Sequence, residues 1–296
     1  MGGLGNQLFQ IFTAIATALR NHDTFFFLKY DNLGGNPGHQ RHTYWDTLFK
    51  GLSNYLQPLN ELSLKETESL PSWNEPDFTF SPVPADTNNK TLRLTGYFQN
   101  EKYFKDKYNE ICTMLQLREQ KTQVIDIYKN ESWAADLNGN VRKNRTLVSI
   151  HFRIGDYTAT KNVHPLMTVE YYHRAILHVI EQTQQTSPEG VRFLVFYDPC
   201  DKSTVEHMIH VLKGRFEREI EFIFIQDTIP DWQQILLMSL CDHNIIANST
   251  FSWWGAYFND NPNKIVCYPS IWFGPVLYYH DTSDLCLKTW HKINAS

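Results

Sequence analysis

The second half of the chain alternates short apolar runs with amphipathic stretches, and this alternation constrains the fold more than any other feature. Apolar strands are predicted at Thr146–Phe152, Val191–Tyr197, Ile220–Ile225, His243–Ala247 and Lys264–Tyr268. Helices are predicted between them, at Thr168–Gln182, Ser203–Lys213, Asp231–Leu240 and Phe251–Phe258. Apolar strands that are separated by helices are typical of a parallel sheet covered on both faces. The sequence therefore predicts an α/β fold whose ligands bind beyond the carboxyl ends of the strands.

The preceding part of the chain is less regular. A helix is predicted at Leu8–Leu19, a strand at Thr24–Tyr30, and a strand–helix pair at Leu92–Phe98 and Glu101–Leu117. Residues 52–90 are polar and carry five prolines, which predicts irregular surface chain. The polar segment Glu131–Arg145 separates the two patterns. We therefore expect an N-terminal lobe at residues 1–140 and a Rossmann-like C-terminal lobe at residues 146–296.

Composition excludes several classes of protein. The 296 residues carry 27 Lys+Arg against 32 Asp+Glu, a net charge of −5. A general polyanion binder has a pI above about 9, so nucleic acid is not expected as a partner. No apolar run approaches the roughly 20 residues of a membrane helix, and no signal peptide is visible, which predicts a soluble, cytoplasmic chain without a membrane segment.

A charged cluster follows the strand Thr146–Phe152. It contains His151, Arg153 and Asp156, and Gly155 permits a sharp turn there. An arginine at the carboxyl edge of a sheet suits a phosphate, because its planar fork binds phosphate oxygens bidentately. Asp156 can pair with Arg153 and fix its geometry. An ordinary ion pair is the structural alternative.

A second cluster follows the strand His243–Ala247. It consists of small polar residues and one aromatic residue: Asn248, Ser249, Thr250, Phe251 and Ser252. Such residues at a helix N-terminus either cap the helix or hold a phosphate together with the free backbone N–H groups. Because both clusters open at the same edge of the predicted sheet, we expect them to form a diphosphate cradle.

A carboxylate follows the intervening strand as well. Asp198 comes directly after Tyr197 and before Pro199. It can accept the N1–H and the exocyclic amine of a guanine, or it can simply begin a turn before proline. The sequence leaves both possibilities open.

The opening loop resembles a dinucleotide-binding fingerprint in part. Gly3, Asn6 and Gln7 lie in a Gly-rich turn before the first predicted helix, where backbone N–H groups can approach a diphosphate. Leu8 occupies the place of the third glycine, and no strand precedes the turn. A nicotinamide or flavin cofactor is therefore not expected, and a tight turn opening a helix is the ordinary explanation.

Motifs spread along the chain are similar to those of one known family. They are the segments Gly2–Gln10, Gly96–Gln99 followed by Tyr103-Phe104, His151–Tyr157 and His243–Ala256. In content and order they resemble the α-1,2-fucosyltransferases, and the third resembles the His-x-Arg-Arg-x-Asp element of transferases that use GDP-fucose. Ile154 stands in place of the second arginine of that element, and Tyr197-Asp198-Pro199 stands where many members carry Ser-Asp-Asp.

The resemblance implies a GT-B architecture, with two Rossmann-like lobes and a donor cleft between them. It implies an acceptor-side N-terminal lobe and a C-terminal lobe that binds GDP-fucose. The implied reaction is inverting transfer of L-fucose from GDP-β-L-fucose to the 2-hydroxyl of a terminal galactoside, with a galactose-terminated glycan as acceptor and no cofactor or metal. The chain contains no Asp-x-Asp pair, which agrees with metal independence.

The same resemblance assigns roles to residues. Arg153 and His151 are the expected catalytic residues. The expected donor-binding residues are Asp156, Asp198, Asn248, Ser249, Thr250, Phe251, Ser252, Gly3, Asn6 and Gln7. Inversion needs a general base near the acceptor hydroxyl, and Asp31, His39 and Asp46 are the candidates on the first lobe.

Alternatives to this function stay open. One is a GDP-fucose transferase of different linkage, and another is a catalytically silent relative that binds the nucleotide or sugar, which the loss of arginine at Ile154 favours. The resemblance also leaves a catalytic fragment of the Golgi lumen as the alternative location, if the natural chain extends further at its N-terminus.

Overall fold

The computed structural model describes residues 2–34, 41–85, 91–137, 145–183, 190–217 and 219–296. In these ranges the strands are β1 (Phe27–Lys29), β2 (Leu56–Pro58), β3 (Ser72–Asn74), β4 (Arg93–Thr95), β5 (Thr146–His151), β6 (Val191–Phe196), β7 (Glu221–Phe224), β8 (His243–Ile245), β9 (Val266–Pro269) and β10 (His291–Ile293). The α-helices are α1 (Leu4–Asn21), α2 (Glu61–Ser69), α3 (Tyr108–Met114), α4 (Leu117–Ile127), α5 (Ala134–Leu137), α6 (Val169–Thr183), α7 (Lys202–Lys213), α8 (Asp231–Ser239) and α9 (Thr250–Tyr257). Short 3-10 helices lie at Lys50–Tyr55, Glu101–Tyr103, Lys105–Lys107, Gly155–Ala159 and Pro199–Asp201.

The chain divides into two compact units. Unit 1 consists of Met1–Gln120 and Asp281–Leu287, and unit 2 consists of Lys121–His280 and Lys288–Ser296. The division lies earlier than the lobe boundary expected near residue 140. Contacts inside unit 2 explain this: the ammonium of Lys121, on α4, donates to the carbonyl oxygen of Phe258 at 2.5 Å and contacts the carboxylate of Asp260 at 2.6 Å. Most of α4 therefore packs as part of unit 2.

Unit 1 is organised around α1. Leu8, Phe12 and Ile15 are fully buried along one face of this helix, and the ring of Phe104 packs against Phe12 at 5.4 Å between centroids. The strands described in this unit form two parallel pairs, β1 with β2 and β3 with β4.

Two element predictions for unit 1 are wrong. Residues 52–90 were expected to be irregular, but they include β2, α2 and β3, because the segment between Pro58 and Pro71 has room for a helix without proline. The continuous helix expected at Glu101–Leu117 is instead two 3-10 turns followed by α3. Phe104 has φ −143°, outside the helical range, and Gln116 has φ 54°, which ends the helical path in a left-handed residue.

Unit 2 contains a six-stranded sheet in the order β10-β9-β8-β5-β6-β7, and every neighbouring pair in it is parallel. This is the strand order of dinucleotide-binding Rossmann folds, in which the chain leaves the central strand in one direction and later returns to its other side. Alternate side chains of β5 face opposite sides of the sheet. Val148 and Ile150 join the apolar core with α6, whereas Ser149 bonds to Asn244 on β8 and His151 contacts Phe251 on α9.

The α/β class predicted from the sequence is confirmed by this sheet. Unit 2 matches one Rossmann-like lobe of the predicted GT-B type, whereas the described strands of unit 1 form two separate pairs. Each strand predicted for the second half is present with its ends shifted slightly. Strand β10 adds an edge that the apolar pattern does not predict. Of the helices in the described ranges, none is long and apolar enough to cross a bilayer.

Candidate active site at the carboxyl ends of β5 and β8

The strand order of unit 2 singles out one position on the sheet. The connections from β5 lead to β6 and β7 on one side, and β8 then pairs with the other side of β5. Ligands of open α/β sheets bind outside the carboxyl ends of the strands at this point of reversal. The loops that begin after His151 and Ile245 flank it, and both contain predicted site residues.

His151 is the last residue of β5 and is held in a dry environment. Its side chain is buried, and its main-chain oxygen accepts a hydrogen bond from the Tyr172 hydroxyl at 2.9 Å. Burial, and then the positive charge of Arg153, lower the pKa of His151 to about 3. The imidazole is therefore neutral near pH 7. Its Nδ1 atom is buried without a hydrogen-bond partner among the described residues.

Arg153 lies just beyond the strand and is about one-third exposed. Its Nη2 atom donates to Oδ1 of Asp156 at 2.5 Å, so the ion pair predicted from the sequence is present. The Nε atom of Arg153 is buried and has no partner in the described part of the chain. A guanidinium presents five N–H donors, so the pairing with Asp156 leaves donors for an anion.

Ile154, which stands in place of the second arginine of the element, lies in apolar surroundings. Ile154 is partly buried and packs against the core of unit 2. Within the segment His151–Tyr157, Arg153 is therefore the residue that carries a fixed positive charge.

Asn248 follows β8 and is almost fully buried. Its side-chain amide donates to the carbonyl oxygens of Pro165 at 3.0 Å and Trp272 at 3.1 Å, which fixes the orientation of the side chain. Its Oδ1 atom is buried and has no partner among the described residues. Buried polar atoms are normally paired, and an unpaired one points to a missing water or ligand.

The remaining members of the second cluster begin α9. Ser249 is the N-cap, because its Oγ accepts the main-chain N–H of Phe251 at 3.3 Å, and the Ser252 hydroxyl donates to the carbonyl of Ser249 at 3.3 Å. Thr250 is the first residue of the helix. Helix capping thus accounts for the two serines. Because α9 begins shortly after β8 ends, the partial positive charge of the helix N-terminus lies at the carboxyl edge of the sheet. Trp253 and Trp254 are fully buried, as core residues should be.

The two clusters meet. The Tyr157 hydroxyl donates to the main-chain oxygen of Asn248 at 3.2 Å, and the guanidinium carbon of Arg153 lies 5.0 Å from the centre of the Tyr157 ring. On the sheet side, the rings of His151 and Phe251 are 5.4 Å apart. The structure therefore brings together the loops that were predicted to form one cradle.

The loop after β6 lies at the same carboxyl edge of the sheet as the two clusters. Asp198 is exposed and caps a 3-10 turn by accepting the N–H of Cys200 at 3.2 Å, which is the turn-forming role that the sequence left open. Asp227, after β7, accepts a hydrogen bond from Tyr197 at 2.5 Å and one from Lys202 at 2.7 Å. Burial and Asp227 hold the pKa of the Tyr197 phenol well above its ordinary value.

The residues predicted for the opening loop lie in unit 1, but α1 begins at Leu4, so Asn6 and Gln7 belong to the helix and not to a turn before it. Gly3 is the N-cap of α1, and Oδ1 of Asn6 accepts from the Gln99 side chain at 3.1 Å. The Gln7 amide donates to the carbonyl oxygens of Gly2 at 3.2 Å and His42 at 2.8 Å.

The candidate bases also belong to this part of the sequence. Asp31 and Asp46 are exposed in unit 1. His39 lies outside the described residues.

Sequence reasoning missed Tyr157 and Asp201 as parts of the site. Tyr157 is the last residue of the His151–Tyr157 motif, and this position is the sequence feature that could have indicated it. Asp201 stands two residues after Pro199 and carries no motif. Among the described residues, no group of three His, Cys, Asp or Glu side chains is placed to hold a metal ion.

Comparison with known proteins decides the family. The sequence model described as glycosyl transferase family 11 matches residues 66–290, about three quarters of the chain. The chain belongs to glycosyl transferase family 11. The match includes both loops of the candidate site, and the family agrees with the one that the motifs resemble.

Two curated relatives of this family 11 chain come from Escherichia coli. The O-antigen biosynthesis glycosyltransferase WbnK is 27% identical over 205 residues, which cover 67% of this chain and 59% of WbnK. An alpha-1,2-colitosyltransferase is 27% identical over 209 residues, which cover 69% of this chain and 63% of that protein. The chain thus matches about three fifths of the length of each relative.

Solved structures resemble the family 11 chain more distantly. A glycosyl transferase family 9 protein from Veillonella parvula DSM 2008 is 12% identical with a TM-score of 0.32, covering 60% of this chain and 40% of that one. POFUT1 in complex with GDP-fucose is 12% identical with a TM-score of 0.42, covering 90% of this chain and 95% of that one.

Proposed function

We propose that this protein transfers L-fucose from GDP-β-L-fucose to the 2-hydroxyl of a terminal galactoside, with inversion and without a metal ion. The observation that carries the proposal is the hydrogen bond from Tyr157 to Asn248, which joins the loop bearing Arg153 to the loop that begins α9. This pair of loops lies at the reversal point of a Rossmann-like sheet, where nucleotides bind. Family 11 membership supports glycosyl transfer.

Arg153 has the central part in the proposed reaction. The bond from C1 of fucose to the β-phosphate oxygen breaks, and negative charge builds on the departing GDP. Arg153 stabilises that charge with its remaining N–H donors, and the N-terminus of α9 adds its partial positive charge. Asp156 holds the guanidinium in place through the 2.5 Å ion pair.

The new bond joins C1 of fucose to the galactose 2-oxygen on the opposite face, and the hydroxyl proton passes to a general base. His151 is a poor candidate for that base, because the imidazole is buried and its pKa is about 3. We assign it instead to orienting Arg153 and contacting the nucleotide. Asp31, His39 and Asp46 remain the candidate bases.

Asp198 is proposed as the carboxylate that binds the guanine base. It is exposed at the carboxyl end of β6 and accepts one main-chain N–H at 3.2 Å through Oδ1. A carboxylate has room for about four hydrogen bonds, so it can still accept the two N–H groups on the edge of guanine. Asn248, Thr250 and Phe251 complete the proposed donor site in unit 2, whereas donor binding by Gly3, Asn6 and Gln7 stays a prediction from the family resemblance.

A donor screen tests the proposal. Purified protein is incubated with a β-galactoside such as lactose and with GDP-fucose, GDP-mannose, GDP-colitose or UDP-galactose, each with and without EDTA. GDP release and the product linkage are then measured. We expect GDP-fucose to be used best, an α-1,2 product, and no effect of EDTA.

Other outcomes select the alternatives. Use of GDP-colitose in preference to GDP-fucose favours the second candidate, which the name of the alpha-1,2-colitosyltransferase relative supports. A fucosylated product with a linkage other than α-1,2 would support the proposed donor and contradict the proposed acceptor hydroxyl. GDP binding without any GDP release from GDP-fucose indicates a silent binding protein.

A further inference from the structure

One side chain joins the parts of the candidate site, and none of the predicted roles belongs to it. Tyr157 lies in the 3-10 turn Gly155–Ala159 that follows β5. It contacts residues from three separate segments, namely Arg153 in its own loop, His164 further along the chain, and Asn248 after β8.

The ring of Tyr157 supports the guanidinium. The guanidinium carbon of Arg153 lies 5.0 Å from the ring centre, which is within the range of a cation–π interaction. The imidazole of His164 stacks on the same ring at 4.6 Å, with 17° between the planes. The ring is therefore packed, and a guanidinium resting on it has a restricted position.

The hydroxyl of Tyr157 supports the other loop. It donates to the main-chain oxygen of Asn248 at 3.2 Å. Burial raises the pKa of Tyr157, so the phenol stays protonated and remains a donor at neutral pH.

The atoms that Tyr157 holds in place include two without partners. Nε of Arg153 and Oδ1 of Asn248 are both buried and unpartnered among the described residues. A buried polar atom without a partner is expected to meet a ligand or an ordered water. One belongs to a donor and the other to an acceptor, which suits a ligand with both phosphate oxygens and hydroxyl or amine groups.

We propose that Tyr157 is a positioning residue that fixes the Arg153 guanidinium relative to the Asn248 loop so that together they bind a nucleoside diphosphate. The proposal rests on the proposed function and adds a residue to its site. Tyr157 acts through Arg153, so its effect should depend on the presence of that arginine.

A double-mutant cycle measures this dependence. Tyr157→Leu removes the ring and the hydroxyl, whereas Tyr157→Phe keeps the ring. Each is measured alone and combined with Arg153→Lys, with kcat and KM for GDP-fucose determined separately. Tyr171→Phe is the matched control, because the Tyr171 hydroxyl also donates to a main-chain oxygen after β8, that of Ile246.

The expected result is non-additive for Tyr157 alone. Tyr157→Leu should lower kcat/KM at least about tenfold in the wild-type background and less than about threefold in the Arg153→Lys background, a coupling within the range of contacting residues. Tyr157→Phe, which keeps the ring under the guanidinium but loses the hydrogen bond to Asn248, should recover only part of the loss. Tyr171→Phe should change activity by the same factor in both backgrounds. An equal factor for Tyr157→Leu in both backgrounds overturns the proposal.

A spectroscopic readout separates this inference from the proposed function. The buried Nε–H of Arg153 should give a slowly exchanging ¹⁵N–¹H signal, assigned by its loss in Arg153→Lys. We expect Tyr157→Leu to broaden or shift that signal, whichever donor the enzyme uses. An unchanged signal contradicts the positioning role, whereas absence of GDP binding by the wild type contradicts the proposed function alone.

Discussion

The carboxylate of Asp201 accepts a hydrogen bond from the main-chain N–H of Gly155 at 2.7 Å. Asp201 is buried at the start of α7, and Gly155 lies in the turn between Arg153 and Tyr157, with φ +24°. A residue of the β6 loop thereby holds the turn that presents the arginine. The cradle consequently depends on a third loop besides the two that line it.

Replacing Asp201 with alanine should weaken both the fold and the site. A hydrogen bond to a charged acceptor contributes about 1.5–3 kcal/mol, so Asp201→Ala should lower the free energy of unfolding by about that amount. The released turn should also raise the Kd for GDP roughly three- to tenfold, since small misplacements of binding groups weaken positioning. Denaturant unfolding and GDP titration measure the two effects. Asp201→Asn, which keeps a neutral acceptor, should fall between the wild type and alanine. Equal stability of all three proteins would count against this contact.

Arg153→Lys should lose most of the activity while keeping the charge. The lysine ammonium lacks the planar fork that binds phosphate bidentately, and removing one stabilising donor lowers kcat by roughly 100- to 1,000-fold. GDP release from GDP-fucose measures the effect. Arg192→Lys is the control, because Arg192 lies near the amino end of β6 and pairs with Glu221 at 2.6 Å. It should keep kcat close to that of the wild type. Activity of Arg153→Lys within about threefold of the wild type would remove Arg153 from the catalytic role.

His151 should make the protein less stable in acid. Its pKa is about 3 in the folded chain, against an ordinary value of 6.5. Well above pH 6.5 the imidazole is neutral in both states and has no effect. As the pH falls below 6.5, the unfolded chain binds a proton that the folded chain does not, so stability falls.

The comparison that isolates this residue is with His151→Gln. Between pH 6.5 and 5.0 the His151 contribution should remove about 2 kcal/mol from the free energy of unfolding. Burial also lowers the pKa of His164 and His178, which act in the same direction, so the difference between the variant and the wild type is the relevant quantity. Parallel pH profiles of the two proteins would show that His151 does not titrate as stated.

Gly255→Ala should disturb the packing of α9. A Cβ atom at this position would lie 2.8 Å from both Cβ and Sδ of Met238 on α8. Overpacking of this kind costs about 1–3 kcal/mol, measurable by denaturant unfolding. Gly214→Ala is the control, since its Cβ would meet the Val211 carbonyl at an ordinary 3.6 Å. That change should stay within about 0.5 kcal/mol or stabilise the chain slightly. Equal losses in both variants would mean that the close approach of α8 and α9 is unimportant.

The sheet of unit 2 could be predicted from the sequence because its strands carry short apolar runs that alternate with predicted helices. β5 is buried at every position, and Leu147, Val148 and Ile150 supply its apolar residues. β10 could not be predicted in this way, since it is an edge strand of three residues with Lys292 exposed at its centre. Unit 1 was harder to predict for a similar reason: β1 to β4 have three residues each, too few for a pattern to emerge.

The candidate site was predictable only in part. Arg153 and Asp156 are three residues apart, so their ion pair follows from local geometry. The contacts of Tyr157 with Asn248 and of Gly155 with Asp201 join residues that are distant in sequence. They depend on the pairing of β5 with both β6 and β8, which no local pattern reports. The sequence could therefore indicate which loops share an edge but not which side chains join them.

The most direct test of the diphosphate cradle is calorimetric titration of the wild type and Arg153→Lys with GDP and GMP. The β-phosphate is the group that Arg153 is proposed to bind, so the wild type should bind GDP at least about tenfold more tightly than GMP, a difference of about 1.4 kcal/mol. Arg153→Lys should reduce that preference to less than about threefold. Equal affinity of the wild type for GDP and GMP, or an undiminished preference in Arg153→Lys, would contradict the account.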